Sequence, residues 1–241
     1  KADYEKDNVA VYAYAMGGSS MYADSLVPSL SLFSNIVSMY GAGEFDNVAL
    51  QKMLAGKKAS VNLGINETMQ TINGSSTPKD FETMMQLLYL RFAKPNFNKE
   101  AYDAIMGRYN AMIAAAQKDP GKTMSDSLNL NITNYHPRTF ILTPESMTRI
   151  TFNNVNNIYA TAFDNASRFT FFIVGNIDED QAKAMAEKYI GSLPSKVENE
   201  NWIDRGVNQP KGIVNKEICL PLAVPKGTVV ISYSGKTKYT P

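Results

Sequence analysis

The sequence has very few of the residues from which metal sites and disulfides are built, with one cysteine and one histidine among its 241 residues. The single cysteine, Cys219, excludes an internal disulfide and any zinc site made of several cysteines. A zinc site of two histidines and a carboxylate would need a second histidine beside His136. Cys219 lies in the strand-like stretch EICLPLAV, so we expect it to be a small buried residue.

The sequence also lacks an excess of charge of either sign, because 24 basic residues balance 23 acidic ones and the net charge is +1. No basic stripe or acidic tail is present, which argues against nucleic acid or an anionic membrane surface as a partner. No apolar run approaches the ~20 residues of a membrane span. The chain starts at Lys1 and stops soon after a strand-like run, so we expect it to be a fragment of a longer protein.

His136 is the one residue that could serve a hydrolase of the Ser-His-Asp kind. It lies in NYHPR, before a proline that disfavours helix. No serine stands in a G-x-S-x-G turn, and nothing marks a partner carboxylate. We therefore expect a loop residue without a catalytic role. An independent enzyme that uses His136 with a hydroxyl nucleophile stays open as an alternative.

Hydrophobic periodicity predicts an α+β fold in which helices pack mainly on one face of a mostly antiparallel sheet, as one domain over residues 1–241. NVAVYAYAM predicts a strand that ends at a glycine turn, and KASVNLGIN alternates as a strand with one covered face. Further strands are predicted at 67–76, at 213–220, at 227–234 and, as a buried strand, before Gly175. Helices are predicted over 29–40, 46–56, 77–92, 98–120, twice after His136, and over 178–191.

Capping residues mark several of these helix ends. Asp46 is placed to cap a helix that Gly56 stops, and Thr77 precedes Pro78 at the start of another. Asp178-Glu179-Asp180 could suggest a cation site, but acidic residues are expected in the first turn of a helix because of the helix dipole. We interpret that triplet as a helix start.

The order of the segments resembles one half-unit of the insulinase/pitrilysin-type zinc metallopeptidases, a family related to mitochondrial processing peptidase. The first strand with Gly17-Gly18 resembles the family's opening strand and turn. The stretches 77–97 and 101–120 resemble its two central helices. FFIVGNIDEDQAKAMAEKYIGSLP (171–194) resembles its most specific motif, a strand and helix that end in an "yiGsLP" pattern.

In active members of that family a helix carries H-x-x-E-H, whose histidines bind zinc and whose glutamate activates water. Counting back from Gly41, the resemblance places this motif at 32–36, with Leu32 and Ile36 at the ligand positions and Asn35 at the base. Leucine and isoleucine have no lone pair, and asparagine cannot accept the proton. The third ligand, a glutamate, would fall within 111–116, where no acidic residue occurs.

The resemblance thus implies a non-catalytic domain without a metal or cofactor of its own. It implies an active metallopeptidase domain, in the same chain or in a partner subunit, that holds zinc and with which this domain encloses a peptide substrate. A purely structural subunit, like the core proteins of the cytochrome bc complex, is the alternative. The single cysteine and the neutral surface, rich in Asn and Tyr, suggest a bacterial periplasm or cell envelope.

Overall fold

The centre of the fold is a four-stranded antiparallel sheet. The computed structural model describes residues 6–116, 119–197, 201–220 and 224–235. The sheet consists of β1 (Val9–Met16), β3 (Ala59–Ile65), β4 (Met69–Ser76) and β6 (Thr170–Gly175), in the order β3-β4-β1-β6. Val9 of β1 lies opposite Ser76 of β4 and Gly175 of β6. A second, two-stranded sheet pairs β2 (Gly41–Ala42) with β5 (Pro95–Asn96).

The two faces of the large sheet differ in their cover. Alternate residues of β1, such as Val9 and Val11, are buried under the helices, whereas Tyr12 and Tyr14 are exposed on the outer face. The prediction of a buried strand before Gly175 is wrong, because β6 is an edge strand. Its residues Phe172 and Val174 are 44% and 50% exposed beside Tyr14, since no described element covers the outer face there.

The described part of the chain contains nine α-helices. They are α1 (Val27–Ser31), α2 (Phe33–Val37), α3 (Asn47–Met53), α4 (Phe81–Ala93), α5 (Lys99–Ala116), α6 (Pro120–Ile132), α7 (Pro144–Thr148), α8 (Phe152–Ala162) and α9 (Glu179–Met185). A π-helical turn, Ala186–Ile190, continues α9 to Gly191. Helices α2 and α4 lie against β3, and α4 also contacts β4. The predicted α+β class with an antiparallel sheet is confirmed.

The helix predicted over 29–40 is divided into α1 and α2 at Leu32, whose φ of −103° and ψ of 3° are not helical. Ser31 Oγ donates a hydrogen bond to the Val27 carbonyl at 2.9 Å. Such bonds to the carbonyl four residues earlier bend helices because they compete with the backbone bonds. The Ser31 bond favours a break at this point, which periodicity alone does not reveal.

The predicted caps are confirmed. Asp46 Oδ1 accepts a hydrogen bond from the Ala49 amide at 2.7 Å, and α3 is followed by Gly56 with a φ of 78°. Thr77 Oγ1 accepts from the Asp80 amide at 3.3 Å before a 3-10 turn leads into α4. Asp178 accepts hydrogen bonds from two amides of the first turn of α9. The acidic triplet is therefore a helix start.

The carboxylate of Asp80 joins the start of α4 to β3. Its Oδ2 accepts hydrogen bonds from the Lys58 amide at 2.9 Å and from the Thr77 hydroxyl at 2.8 Å, and these bonds lower the pKa of Asp80 below its usual value. A depressed carboxyl pKa stabilises the fold above the unfolded pKa of about 4, and this contribution is lost as the pH falls through the folded pKa.

We therefore expect Asp80→Asn to lower the thermal midpoint at pH 7, because the amide lacks the charge that strengthens both bonds. The difference between variant and parent should shrink as the pH falls below about 4, where the parent carboxylate also becomes protonated. Thermal unfolding followed by circular dichroism between pH 3 and 8 measures this. A difference in midpoint that stays constant over that range would contradict the role given to the Asp80 charge.

Beyond Gly191 the chain forms no helix or strand within the described residues 201–220 and 224–235. The prediction of strands at 213–220 and 227–234 is therefore wrong, although both stretches alternate as strands do. An isolated strand pair is marginally stable in water, and the described sheets offer these stretches no partner. Cys219 is exposed in this region rather than buried as predicted.

The helix α6 was not predicted, because its apolar residues are diluted by Ser, Asn and Asp. None of its residues is fully buried. Met124, Leu128 and Ile132 line one wall of a small cavity of about 200 Å³, and residues from 209–218 and 230–234 line the other. Across the described ranges, no helix has both the length and the apolar character needed to cross a bilayer.

Candidate functional site

The three positions that the resemblance assigns to the zinc motif lie in two different environments. Ile36 is fully buried and Leu32 is 7% exposed, and both belong to the hydrophobic core. Asn35 is exposed and lines a cavity between α2 and α5. Asn35 is therefore at the surface where chemistry could occur, whereas Leu32 and Ile36 hold α2 in place.

Three exposed residues have the same spacing as the motif positions, but they begin one residue earlier, at Ser31. Ser31, Ser34 and Asn35 stand at i, i+3 and i+4, and all three side chains are exposed. Neutral hydroxyl and amide groups bind zinc poorly compared with imidazole, thiolate or carboxylate. In either register, the helix offers no group that fits a zinc ion.

We name the cavity between α2, α5 and the edge of β3 the α2–α5 cavity. It has a volume of about 460 Å³, within the range of small-ligand pockets. Polar groups from α2, α4 and α5 and apolar side chains share its wall. Its lining residues are Ser34, Asn35, Val37, Ser38, Met39, Asn62, Leu63, Arg91, Ile105, Arg108, Tyr109 and Met112.

The long helix α5 contributes no acid to this wall. Of the stretch 111–116, where the third ligand of an active member would fall, Met112 lines the cavity and Ile113 is buried. Within the part of the chain that the structure describes, no group of three His, Cys, Asp or Glu side chains could hold a metal ion. Two arginines line the cavity instead, and their positive charge disfavours a cation there.

A short polar contact closes one side of the cavity. Asn35 Nδ2 donates a hydrogen bond to the Tyr109 hydroxyl oxygen at 2.5 Å, which ties α2 to α5. Ser38 Oγ donates to the Asn35 carbonyl at 2.8 Å at the end of α2. The Tyr109 hydroxyl can still donate its own hydrogen to another acceptor, because a phenol can accept one hydrogen bond and donate another at the same time.

Arg91 is the most unusual residue of the cavity, since a guanidinium is rarely buried without an anionic partner. Its side chain is 7% exposed, and Nη1 donates to the Val37 carbonyl at the long distance of 3.4 Å. Its Nε is buried and makes no hydrogen bond to the described residues. Burial lowers the pKa of Arg91 below its ordinary value, although the group stays charged.

The helix that carries Arg91 is fixed by a buried tyrosine. The Tyr159 hydroxyl of α8 donates to the Arg91 carbonyl at 2.5 Å, and burial raises the pKa of Tyr159 above its usual value. Phe33 of α2 packs on Tyr159 and Phe163 with ring centroids 6.0 and 6.1 Å away. The aromatic core thus sets the distance between α2, α4 and α8.

His136 lies in a turn after α6, as predicted. Its Nδ1 accepts a hydrogen bond from the Arg138 amide at 3.2 Å, while Arg138 pairs with Asp24 at 2.8 Å. Over the described ranges no serine hydroxyl and no carboxylate hydrogen-bonds to the ring of His136. The geometry required of a Ser-His-Asp relay is not assembled here.

The sequence interpretation missed Arg91 and Tyr109. The stripe of α4, with Met84, Leu88 and Phe92, predicts a buried face. Arg91 stands seven residues after Met84 and three after Leu88, so helical spacing places a charged side chain on this apolar face. That placement is the signal by which the residue could have been found.

Comparison with models of protein families gives a match over part of the chain. Residues 149–240 match the family model described as the Peptidase M16 inactive domain. Among curated proteins, the chain is similar to a probable zinc protease PqqL of Haemophilus influenzae, with 22% identity over 211 residues. The aligned region covers 87% of this chain and 22% of that protein, so the chain spans under a quarter of this relative.

Solved structures share the fold. The periplasmic protease PqqL from Escherichia coli superposes with a TM-score of 0.71 at 17% identity, over 87% of this chain and 23% of that one. A peptidase M16 inactive domain from Pseudomonas fluorescens has a TM-score of 0.62 at 20% identity, over 82% of this chain and 49% of that one. The arrangement of sheet and helices described above is therefore that of these peptidase halves.

Proposed function

The chain is an insulinase/pitrilysin-type metallopeptidase family member of the inactive-domain kind, and on that premise we propose that it helps an active domain enclose a peptide without performing catalysis. The observation that carries this proposal is the composition of the α2–α5 cavity. At the positions to which the resemblance assigns the zinc of active members, this cavity presents Asn35, serines and two arginines. None of these side chains is a ligand that zinc prefers.

The zinc belongs, in this proposal, to an active metallopeptidase domain in the same chain or in a partner subunit. Residues 1–241 form one domain of that larger peptidase. The parent protein is a zinc metalloendopeptidase of a bacterial periplasm or cell envelope. The similarity to a periplasmic protease and to a probable zinc protease, each covered over less than a quarter of its length, supports this assignment.

The second candidate is a structural subunit of an assembly that hydrolyses no peptide. The open cavity favours the peptidase, because a purely structural surface has no need for a pocket of about 460 Å³ with charged walls. Peptide hydrolysis by the intact protein with its natural partner distinguishes the two. Hydrolysis that depends on zinc favours the peptidase, and its absence in the zinc-loaded assembly favours the structural subunit.

The test of the non-catalytic role is Asn35→Ala in the intact protein. We expect zinc per chain to stay within about twofold of the parent, because Asn35 holds no metal in this proposal. Atomic absorption measures the zinc content.

The control is Asn73→Ala, which removes an exposed asparagine from the outer face of β4. A loss of tenfold or more in zinc affinity for Asn35→Ala, with Asn73→Ala unaffected, would place Asn35 in a working metal site. That result would contradict the proposal.

A further inference from the structure

The buried guanidinium of Arg91 has more donors than the described residues satisfy. An arginine carries five N–H donors, yet the described residues give it one hydrogen bond, to the Val37 carbonyl at 3.4 Å. The Nε is buried and has no hydrogen-bond partner among the described residues. No ion pair between described residues includes Arg91, and burial is what lowers its pKa. The charge is therefore uncompensated where it lies.

Burying a charge without a counter-ion is strongly unfavourable, and a neutral side chain would fill the same place in α4 more favourably. One long bond to the end of α2 offsets little of that cost. If Arg91 served only to cap the Val37 carbonyl, its side chain would have no reason to line a cavity. An anion that enters the α2–α5 cavity would compensate the charge and satisfy its remaining donors.

The rest of the cavity favours the same kind of ligand. Arg108 brings a second guanidinium from α5, and none of the lining residues is acidic. The Tyr109 hydroxyl accepts from Asn35, so its hydrogen is free to be donated to a ligand oxygen. Apolar side chains, among them Leu63 and Met112, complete the wall. This combination suits an anionic group that is attached to an apolar body.

We propose that the α2–α5 cavity binds the carboxylate of a peptide, between the buried Arg91 and the exposed Arg108. This inference rests on the proposed function only in taking a peptide as the ligand. The planar guanidinium of Arg91 matches a carboxylate, which can accept two parallel hydrogen bonds from it. The residue next to the carboxylate packs against the apolar wall. The cavity thereby anchors a peptide beside Asn35, one of the positions that the resemblance assigns to the zinc motif.

The carboxylate can come from the C-terminus of a peptide or from an acidic side chain, and three small probes distinguish these sources. They are acetyl-leucyl-leucine with a free carboxylate, its C-terminal amide, and acetyl-glutamyl-leucine amide. Calorimetry with the intact protein measures each dissociation constant, and chromatography afterwards checks that the probe is uncleaved. We expect at least one carboxylate probe to bind about tenfold or more tightly than the neutral amide.

Three variants connect this preference to the two arginines. Arg108→Ala should reduce the ratio between carboxylate and amide affinities to about threefold or less, and Arg91→Met should abolish it. Arg149→Ala removes an exposed arginine outside the cavity and should leave the ratio unchanged. Arg108 is exposed, so its variant tests the site even if Arg91→Met fails to fold.

Tight binding of the free C-terminus alone assigns the site to chain ends, and tight binding of the glutamyl probe assigns it to acidic side chains. Equal binding of all three probes, or a preference that survives both Arg91→Met and Arg108→Ala, overturns the proposal. Equal binding of the three probes by an intact protein that still hydrolyses peptides overturns the carboxylate site and leaves the proposed function standing. Loss of zinc in Asn35→Ala with the carboxylate preference intact contradicts the non-catalytic role alone.

Discussion

Phe33→Ala should lower the free energy of unfolding by about 3–5 kcal/mol, the usual cost of truncating a fully buried phenylalanine. Phe33 has no exposed surface, and its ring packs against Tyr159 and Phe163. These neighbours are held by α8, so they cannot collapse fully into the space that the ring leaves. Denaturation by urea, followed by the circular dichroism of the helices, measures the loss.

Phe172→Ala is the matched control, because it removes the same ring from the exposed outer face of β6. The Phe172 side chain is 44% exposed and stacks only on Tyr14 within the described residues, with ring centroids 5.7 Å apart. We expect it to cost about 1.5 kcal/mol or less. Similar losses for the two variants would mean that α2 does not form the core described here.

The helix α2 explains why hydrophobic spacing predicted so much of this fold. Phe33, Ile36 and Val37 are buried as the periodicity requires, and their burial fixes which side chains of the helix face outward. The caps at Asp46, Thr77 and Asp178 were equally readable, because each is a local interaction between a side chain and the next turn. Local chemistry therefore predicted element order and most helix starts.

Non-local relations decided what could not be predicted. The stretches 213–220 and 227–234 alternate as strands, but a strand needs a neighbour, and the sequence does not say whether one is present. The α2–α5 cavity likewise depends on Arg91 of α4 and Tyr109 of α5 meeting residues of α2. No periodicity within one helix reveals what lies across from it. The identity of the site residues was visible in the sequence, whereas their juxtaposition was not.

Gly41→Ala should destabilise the protein by about 3 kcal/mol or more. A Cβ at position 41 would lie 1.9 Å from the Phe45 carbonyl oxygen and 2.8 Å from Asp46 Cα, both backbone atoms. The oxygen cannot move away cheaply, because it accepts hydrogen bonds from the Ala42 amide at 3.0 Å and from Asn96 Nδ2 at 3.2 Å. The cost combines overpacking against backbone with the weakening of these bonds.

Gly107→Ala provides the control with the opposite sign. Gly107 lies in the interior of α5, and a Cβ there would meet nothing within 4 Å. Alanine is favoured over glycine in a helix by about 0.5–1 kcal/mol, so this variant should be more stable than the parent. Thermal and urea unfolding of the pair measure both effects. Gly41 lies in β2 and pairs with β5, so loss of stability at Gly41 with gain at Gly107 would assign this glycine the role of admitting the close approach of the Phe45–Asp46 backbone. A tolerated alanine at position 41 would contradict that role.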